Sequence, residues 1–158
     1  MLRFAQHDML VVVFEWREMG IERTLTIIKP DAVAAGHAGD IIKIFEENGL
    51  KIVAARLVNL TKKEAEAFYA VHRGKPFFDS LTTFMSSGRA LVMVLESDQV
   101  ISRVREVMGA TNPAHAALGT IRKLYATSIE RNAVHGSDAP ETAAFEIGFF
   151  FAGVSLVS

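Results

Sequence analysis

The sequence predicts an α/β or α+β sandwich in which helices cover one face of a small sheet. Two patterns carry this expectation. Short runs rich in β-branched residues stop at proline or polar turns, and between them lie stretches whose apolar residues recur at helical spacing. Composition agrees: half of the 158 residues are hydrophobic, and a chain of this length buries roughly 70% of its extended surface, enough for one core without staples. The formal net charge is -1, so any anion site must be local, and neither a nucleic-acid coat nor an anionic membrane surface is an expected partner. Cysteine is absent, which excludes disulfides, thiolate metal sites and cysteine nucleophiles and makes cytoplasm the expected compartment.

The chain begins with an apolar run, Met9 to Phe14, far shorter than the roughly 20 residues that span a bilayer. The charged Glu15-Trp16-Arg17-Glu18 that follows is a poor cleavage region for a signal peptide. Residues 1–21 therefore read as an extension, either a tag or upstream start ahead of Met19 or an extra edge strand, and 22–158 as the folded domain. Thr24 to Ile28 is a strand stopped by Pro30, which has no N–H for a ladder. Asp40 to Asn48 places Ile41, Ile44 and Phe45 at helical spacing and ends at Asn48-Gly49. Lys51 to Asn59 alternates Val53, Ala55 and Leu57 on one strand face. Thr61 then opens a helix with Glu64 in capping-box register. Ala90 to Leu95, wholly apolar, suits a central strand, and Val100, Val104, Val107 and Met108 form the stripe of a helix ending at Gly109. Gly109 to Gly136 is the least regular stretch, and long irregular segments in compact domains tend to be functional.

No Walker loop is present, since Gly74-Lys75 is followed by proline, and the common dinucleotide, zinc-protease and hydrolase signatures are also missing. The informative segment is Asn132-Ala133-Val134-His135-Gly136-Ser137-Asp138. A neutral imidazole keeps one nitrogen lone pair available at physiological pH and can attack phosphorus. Gly136 would leave room for a phosphate, Ser137 can donate near the attacked centre, Asp138 with Glu141 can cap the next helix, and Glu146, about two turns into it, can hold the other ring nitrogen. A turn histidine beside a plain helix cap remains open on these seven residues alone. A second group is cationic: Lys29, Arg105 and Arg122 offer the converging charges a triphosphate needs. Isolated surface cations are mostly just solvated, but Lys29, pinned before Pro30 after an apolar run, is not. In Lys75-Pro76-Phe77-Phe78, near Tyr69, Phe77 can stack a base while Phe78 reads as core.

From about Glu22 to the C-terminus the chain resembles nucleoside diphosphate kinases. The segment around His135 carries the resemblance, supported in order by Thr24 to Asp31, Lys75 to Phe78, Thr111-Asn112-Pro113 and Gly119-Thr120-Ile121-Arg122. The resemblance implies a ferredoxin-like sandwich with a four-stranded antiparallel sheet, and transfer of the terminal phosphate from a nucleoside triphosphate to a nucleoside diphosphate through a phosphohistidine. By matching position it makes His135 the nucleophile, Glu146 its orienting carboxylate, and Tyr69 and Ser137 its support. Lys29, Arg105, Thr111 and Arg122 would hold phosphates, Lys29 and Asn132 the sugar hydroxyls, and Phe77 and Ile129 the base. Mg²⁺ is expected on the nucleotide, with no dedicated protein ligand, although Asp138 can act through water. Where the family commonly has Pro-Gly-Thr-Ile-Arg-Gly-Asp, this chain has Leu118 in place of the proline and Lys123-Leu124 in place of Gly-Asp. The resemblance implies a dimer-based homo-oligomer, and because that loop lies at subunit contacts in the family, these departures leave tetramer and hexamer both open.

Two rival readings remain at this stage. A non-catalytic nucleotide-binding or interaction module of the same fold would have lost the histidine, the lysine or a phosphate arginine, and none is lost. Single-stranded nucleic-acid binding needs a basic groove that the charge balance does not favour.

Overall fold

The computed structural model describes residues 20–156; the apolar run at Met9 to Phe14, and with it both readings of the N-terminal extension, lies outside the described residues. The elements run β1 (Ile21–Ile28), α1 (Pro30–Ala34), α2 (Ala38–Glu47), β2 (Lys51–Val58), α3 (Lys62–Phe68), α4 (Phe78–Met85), β3 (Ala90–Asp98), α5 (Val100–Met108), α6 (Ile121–Tyr125), β4 (Val134–Gly136) and α7 (Pro140–Phe150). The strands form one sheet in the order β2-β3-β1-β4, and every pairing is antiparallel. This is the ferredoxin-like α+β sandwich that the resemblance implied. No helix among the described residues is long and apolar enough to cross a membrane.

Helices cover both faces of the sheet, not one. Along β1 and β3, Leu25, Ile27, Val92 and Val94 enter a core with Phe68, Phe84, Ile147 and Phe150. Their neighbours Ile28, Met93 and Leu95 enter a second core with Phe45, Val104, Met108 and Ile121. The reason is visible in the sequence: β3 is apolar at every position from Ala90 to Leu95 and β1 at Ile27-Ile28, so both faces need cover. A fully buried Leu, Ile or Phe contributes about 1.5–3 kcal/mol, so leaving one face bare would forfeit most of the core.

The alternation expected along β2 also fails. A bulge between Ile52 and Ala54 shifts the register against β3. Val53 is buried, but Ala54 and Val58 pack on the first core while Leu57 stands 60% exposed. One extra residue on the bulged strand moves every later side chain to the opposite face.

Local signals elsewhere behave as their chemistry dictates. Thr61 Oγ1 accepts from the Glu64 amide at 3.1 Å while the Glu64 carboxylate takes the Thr61 amide at 2.9 Å. Gly49 and Gly109 close α2 and α5 in left-handed conformations, at φ +74 and +85. The start of α7 differs from expectation by one residue. Ala139 is its N-cap and Pro140 its first residue, and Thr142 Oγ1, not Glu141, accepts the Ala139 amide at 3.0 Å. Proline at the first helical position sets that start, which releases Asp138 for another partner. The short elements α1, α4, α6 and β4 carry too few periods for hydrophobic spacing to reveal.

Gly109 is the tightest backbone constraint on this frame. A Cβ there would lie 2.5 Å from Thr120 Oγ1 and 2.7 Å from Thr120 Cβ, on top of the positive φ. Gly109→Ala is expected to lower the unfolding free energy by about 2 kcal/mol or more. Gly39→Ala, with open space and a helical backbone, should be neutral or stabilising. Urea unfolding of both variants checks this, and equal midpoints would contradict it.

Candidate active site

Strand β4 is three residues long and puts His135 opposite Ile27 of β1. Its carbonyl accepts from Thr26 Oγ1 at 2.7 Å, so the backbone under the imidazole is fixed to the middle of the sheet. The ring points at α7, where Glu146 Oε1 makes a very short contact with Nε2. Glu146 is 7% exposed, and a buried carboxylate with one strong partner imposes a tautomer: Nε2 carries the proton and Nδ1 keeps its lone pair. Phe68 and Tyr69, at the end of α3, pack edge-on to the imidazole with centroids 5.5 and 5.9 Å away. The Tyr69 hydroxyl is buried without a hydrogen-bond partner among the described residues. Burial, then the Glu146 charge, pushes its ionisation well above the usual phenol range, so it stays a neutral donor.

Two residues beside the histidine serve the frame. Gly136 does not open space for phosphate, because a Cβ there would point into α5, 2.7 Å from Met108 Sδ and 3.3 Å from Val104 Cγ1. Side chains alternate across a strand, so the residue after His135 faces the opposite core. The Ser137 hydroxyl sits 3.4 Å from both the Leu25 amide and the Leu25 carbonyl, extending the seam between β4 and β1.

The cations form a chain. Arg105, Thr111 and Arg122 line one open cleft of about 500 Å³. Arg105 Nη1 is held by Asp138 Oδ1 at 2.6 Å. Arg122 is 7% exposed, and its two Nη atoms donate to the carbonyls of Gly109 at 3.0 Å and Val134 at 2.9 Å. Its buried Nε–H has no partner among the described residues. Desolvation, then the Arg105 charge, lowers its pKa to about 10. Lys29 lies behind, with Nζ donating to Asn132 Oδ1 at 2.7 Å, while Asn132 Nδ2 donates to the Thr111 carbonyl at 3.3 Å. Desolvation, then repulsion by Arg122, brings the Lys29 ammonium down to about 8, against partial support from Asp31 and Glu130. Buried like charges without full compensation are costly in the free protein, and a polyanion is what relieves them.

One residue of this site escaped sequence reasoning. Ala133 adopts a left-handed conformation, φ +72, which costs a non-glycine residue about 1–2 kcal/mol. It is pinned by its amide donating to Asp31 Oδ2 at 3.1 Å and its carbonyl accepting from the Lys29 amide at 2.8 Å. Asp31 thus shapes the turn that delivers Asn132 and His135; its only signal was its place directly after the strand-ending Lys29-Pro30. Phe77 and Ile129 stand at the rim, 47% and 60% exposed, while Phe78 packs on the first core.

The buried Glu146–His135 pair and the cations of the cleft suit phosphoryl transfer, and comparison with known proteins decides the family. The nucleoside diphosphate kinase family model matches residues 22–156. The chain belongs to the nucleoside diphosphate kinase family. It is 61% identical over 137 residues to the nucleoside diphosphate kinase of Syntrophotalea carbinolica, covering 87% of this chain and 100% of that one. The enzyme of Nitratidesulfovibrio vulgaris is 60% identical, with 87% and 99% covered. Among solved structures, Aquifex aeolicus nucleoside diphosphate kinase superposes with a TM-score of 0.85 at 44% identity, covering 87% of this chain and 99% of that one. The Halobacterium salinarum enzyme, solved in complex with CDP, gives 0.83 at 40% identity, with 87% and 91% covered. This member of the nucleoside diphosphate kinase family is therefore an enzyme, a phosphotransferase, and the reading as a non-catalytic module of the same fold finds no support.

The buried ammonium makes a pH prediction. With a folded pKa of about 8 against an ordinary 10.5, the unfolded chain binds the Lys29 proton more tightly than the folded one, so stability rises with pH between those values. Below pH 8 the full penalty of the buried charge is present. Relative to Lys29→Met, the free protein should gain up to about 3 kcal/mol between pH 8 and 10.5, read as the difference in chemical unfolding free energy. A difference that stays flat across that window would contradict the burial argument.

Proposed function

We propose that the chain transfers the γ-phosphate of a nucleoside triphosphate to a nucleoside diphosphate by two in-line displacements at His135 Nδ1. The observation that carries this reading is the engagement of Nε2 by the buried Glu146, which leaves the opposite nitrogen as the nucleophile. In the first displacement the Nδ1 lone pair forms the N–P bond as the bond to the β,γ-bridging oxygen breaks, and the departing diphosphate keeps that electron pair. In the second, a terminal phosphate oxygen of the acceptor attacks the same phosphorus and returns the pair to Nδ1. Glu146 stabilises the positive charge that builds on the ring, as a carboxylate behind an imidazole does. Tyr69 supplies a neutral hydroxyl beside the ring, and Ser137 holds the strand beneath it.

In this proposal Arg105, Thr111, Arg122 and Lys29 take the phosphates. Lys29 and Asn132, already bonded to each other, meet the sugar hydroxyls. Phe77 and Ile129 enclose the base, and apolar walls without base-edge hydrogen bonds separate purine from pyrimidine only weakly. Mg²⁺ belongs to the substrate, on the phosphate oxygens it prefers, where it neutralises part of their charge. Asp138, exposed and paired with Arg105, would act on that ion through water. A cytoplasmic, dimer-based homo-oligomer completes the reading; Leu118, just before α6, and Leu124, on α6, are 89% and 54% exposed on the isolated chain and lie in the segment the resemblance places at subunit contacts.

Incubation with Mg²⁺-ATP without acceptor should add one acid-labile phosphoryl group by intact mass, discharged by any added diphosphate. Initial-rate lines at several fixed donor levels should be parallel. His135→Ala should lose the adduct and more than about a thousandfold in turnover. Converging lines, or an adduct that survives in the variant, would overturn the reading.

A further inference from the structure

We propose that Ser80 and Glu130 are positioning residues that set the width of the base slot by tying α4 to the 128–132 loop. The inference rests on the reading above of Phe77 and Ile129 as the two walls of that slot.

Phe77 is the N-cap of α4, one turn before Ser80, and Ile129 is the neighbour of Glu130. Ile129 is 60% exposed and Phe77 47%, with the His72 ring edge-on to Phe77 at 5.3 Å. What joins them is a hydrogen bond from Ser80 Oγ to Glu130 Oε2 at 2.7 Å, between residues 50 apart in sequence. A second stitch lies one turn further along: the Arg131 guanidinium sits 5.0 Å over the Phe84 ring of α4, a favourable cation–π distance. The other side of α4 is fixed to α3 by Lys62 Nζ, which donates to Asp79 Oδ1 at 2.8 Å and Thr83 Oγ1 at 2.5 Å. Because α3 carries Tyr69 against His135, α4 is the shared member between the base slot and the reacting ring. An exposed hydrogen bond adds little to global stability. Its effect here is to fix a distance between two largely exposed walls, which lowers the ordering cost of gripping a base.

Two substitutions separate the bond from the charge at this tie: Ser80→Ala removes the bond and keeps the carboxylate, while Glu130→Gln keeps an acceptor for Ser80 and removes the charge.

The experiment measures binding of ADP and of ribose 5-diphosphate, which lacks the base, to wild type, Ser80→Ala, Glu130→Gln and Phe77→Ala. The ratio of the two dissociation constants reports the grip on the base. Ser80→Ala should cut that ratio about three- to tenfold, the worth of one hydrogen bond, with ribose 5-diphosphate binding unchanged. Phe77→Ala should cut it at least as far. Glu130→Gln should hold the ratio near wild type, and a loss as large as that of Ser80→Ala would overturn the role of the bond. An unchanged ratio in Ser80→Ala, with Phe77→Ala lowering it, overturns the positioning role and leaves the slot itself standing. An unchanged ratio in Phe77→Ala removes the slot and the proposal with it.

Discussion

The contact between Glu146 and His135 is the constraint around which the site is built. It brings together a carboxylate held in low exposure on α7 and an imidazole on the very short strand β4, and removing either would leave the other buried without its partner. The sheet fixes the imidazole from below through Thr26 and the Ile27 register, and α3 closes one side with Phe68 and Tyr69. A ring so enclosed has one nitrogen committed to Glu146 and one left over, and the leftover nitrogen is the one the proposed transfer uses.

The same logic governs the cations. Arg122 is sunk between α5 and β4, where its guanidinium gathers the carbonyls at the two ends of the 109–134 segment. It therefore folds that segment and charges the cleft at once. Lys29 is buried behind it and loses part of its hold on a proton. A free protein that keeps two repelling cations at low exposure holds unfavourable energy that a polyanion would relieve, and in the proposed function the nucleotide's phosphates are that polyanion. Asp31 belongs to this arrangement because it stabilises the left-handed turn at Ala133 from which both Asn132 and His135 are presented.

Much of this was legible from the residues. Lys29 before Pro30, the His135-Gly136-Ser137 segment and Glu146 two turns into the next helix pointed to phosphorus chemistry, although only the family resemblance turned them into a named reaction. The failures have physical causes. A bulge is one residue's worth of register and leaves no mark on hydrophobic alternation, so Leu57 was placed on the wrong face. Gly136 was read as room for substrate because a sequence does not say which side of a strand faces the reaction; the side chain it lacks would have struck Met108. Asp138 looked like a helix cap until Pro140 fixed the start one residue later and left it to Arg105. Asp31 was overlooked because its task, holding a strained turn a hundred residues away, is a tertiary contact with no local signature.

The most direct test of the account is to find which ring nitrogen carries the phosphoryl group, by phosphorus and nitrogen NMR of the enzyme trapped with Mg²⁺-ATP in the absence of acceptor. With Nε2 held by Glu146, the adduct should be Nδ1-phosphohistidine at position 135, its Nε2 still protonated. An Nε2 adduct would mean that the carboxylate does not orient the nucleophile, and the arrangement described around His135 would then be wrong as an account of catalysis.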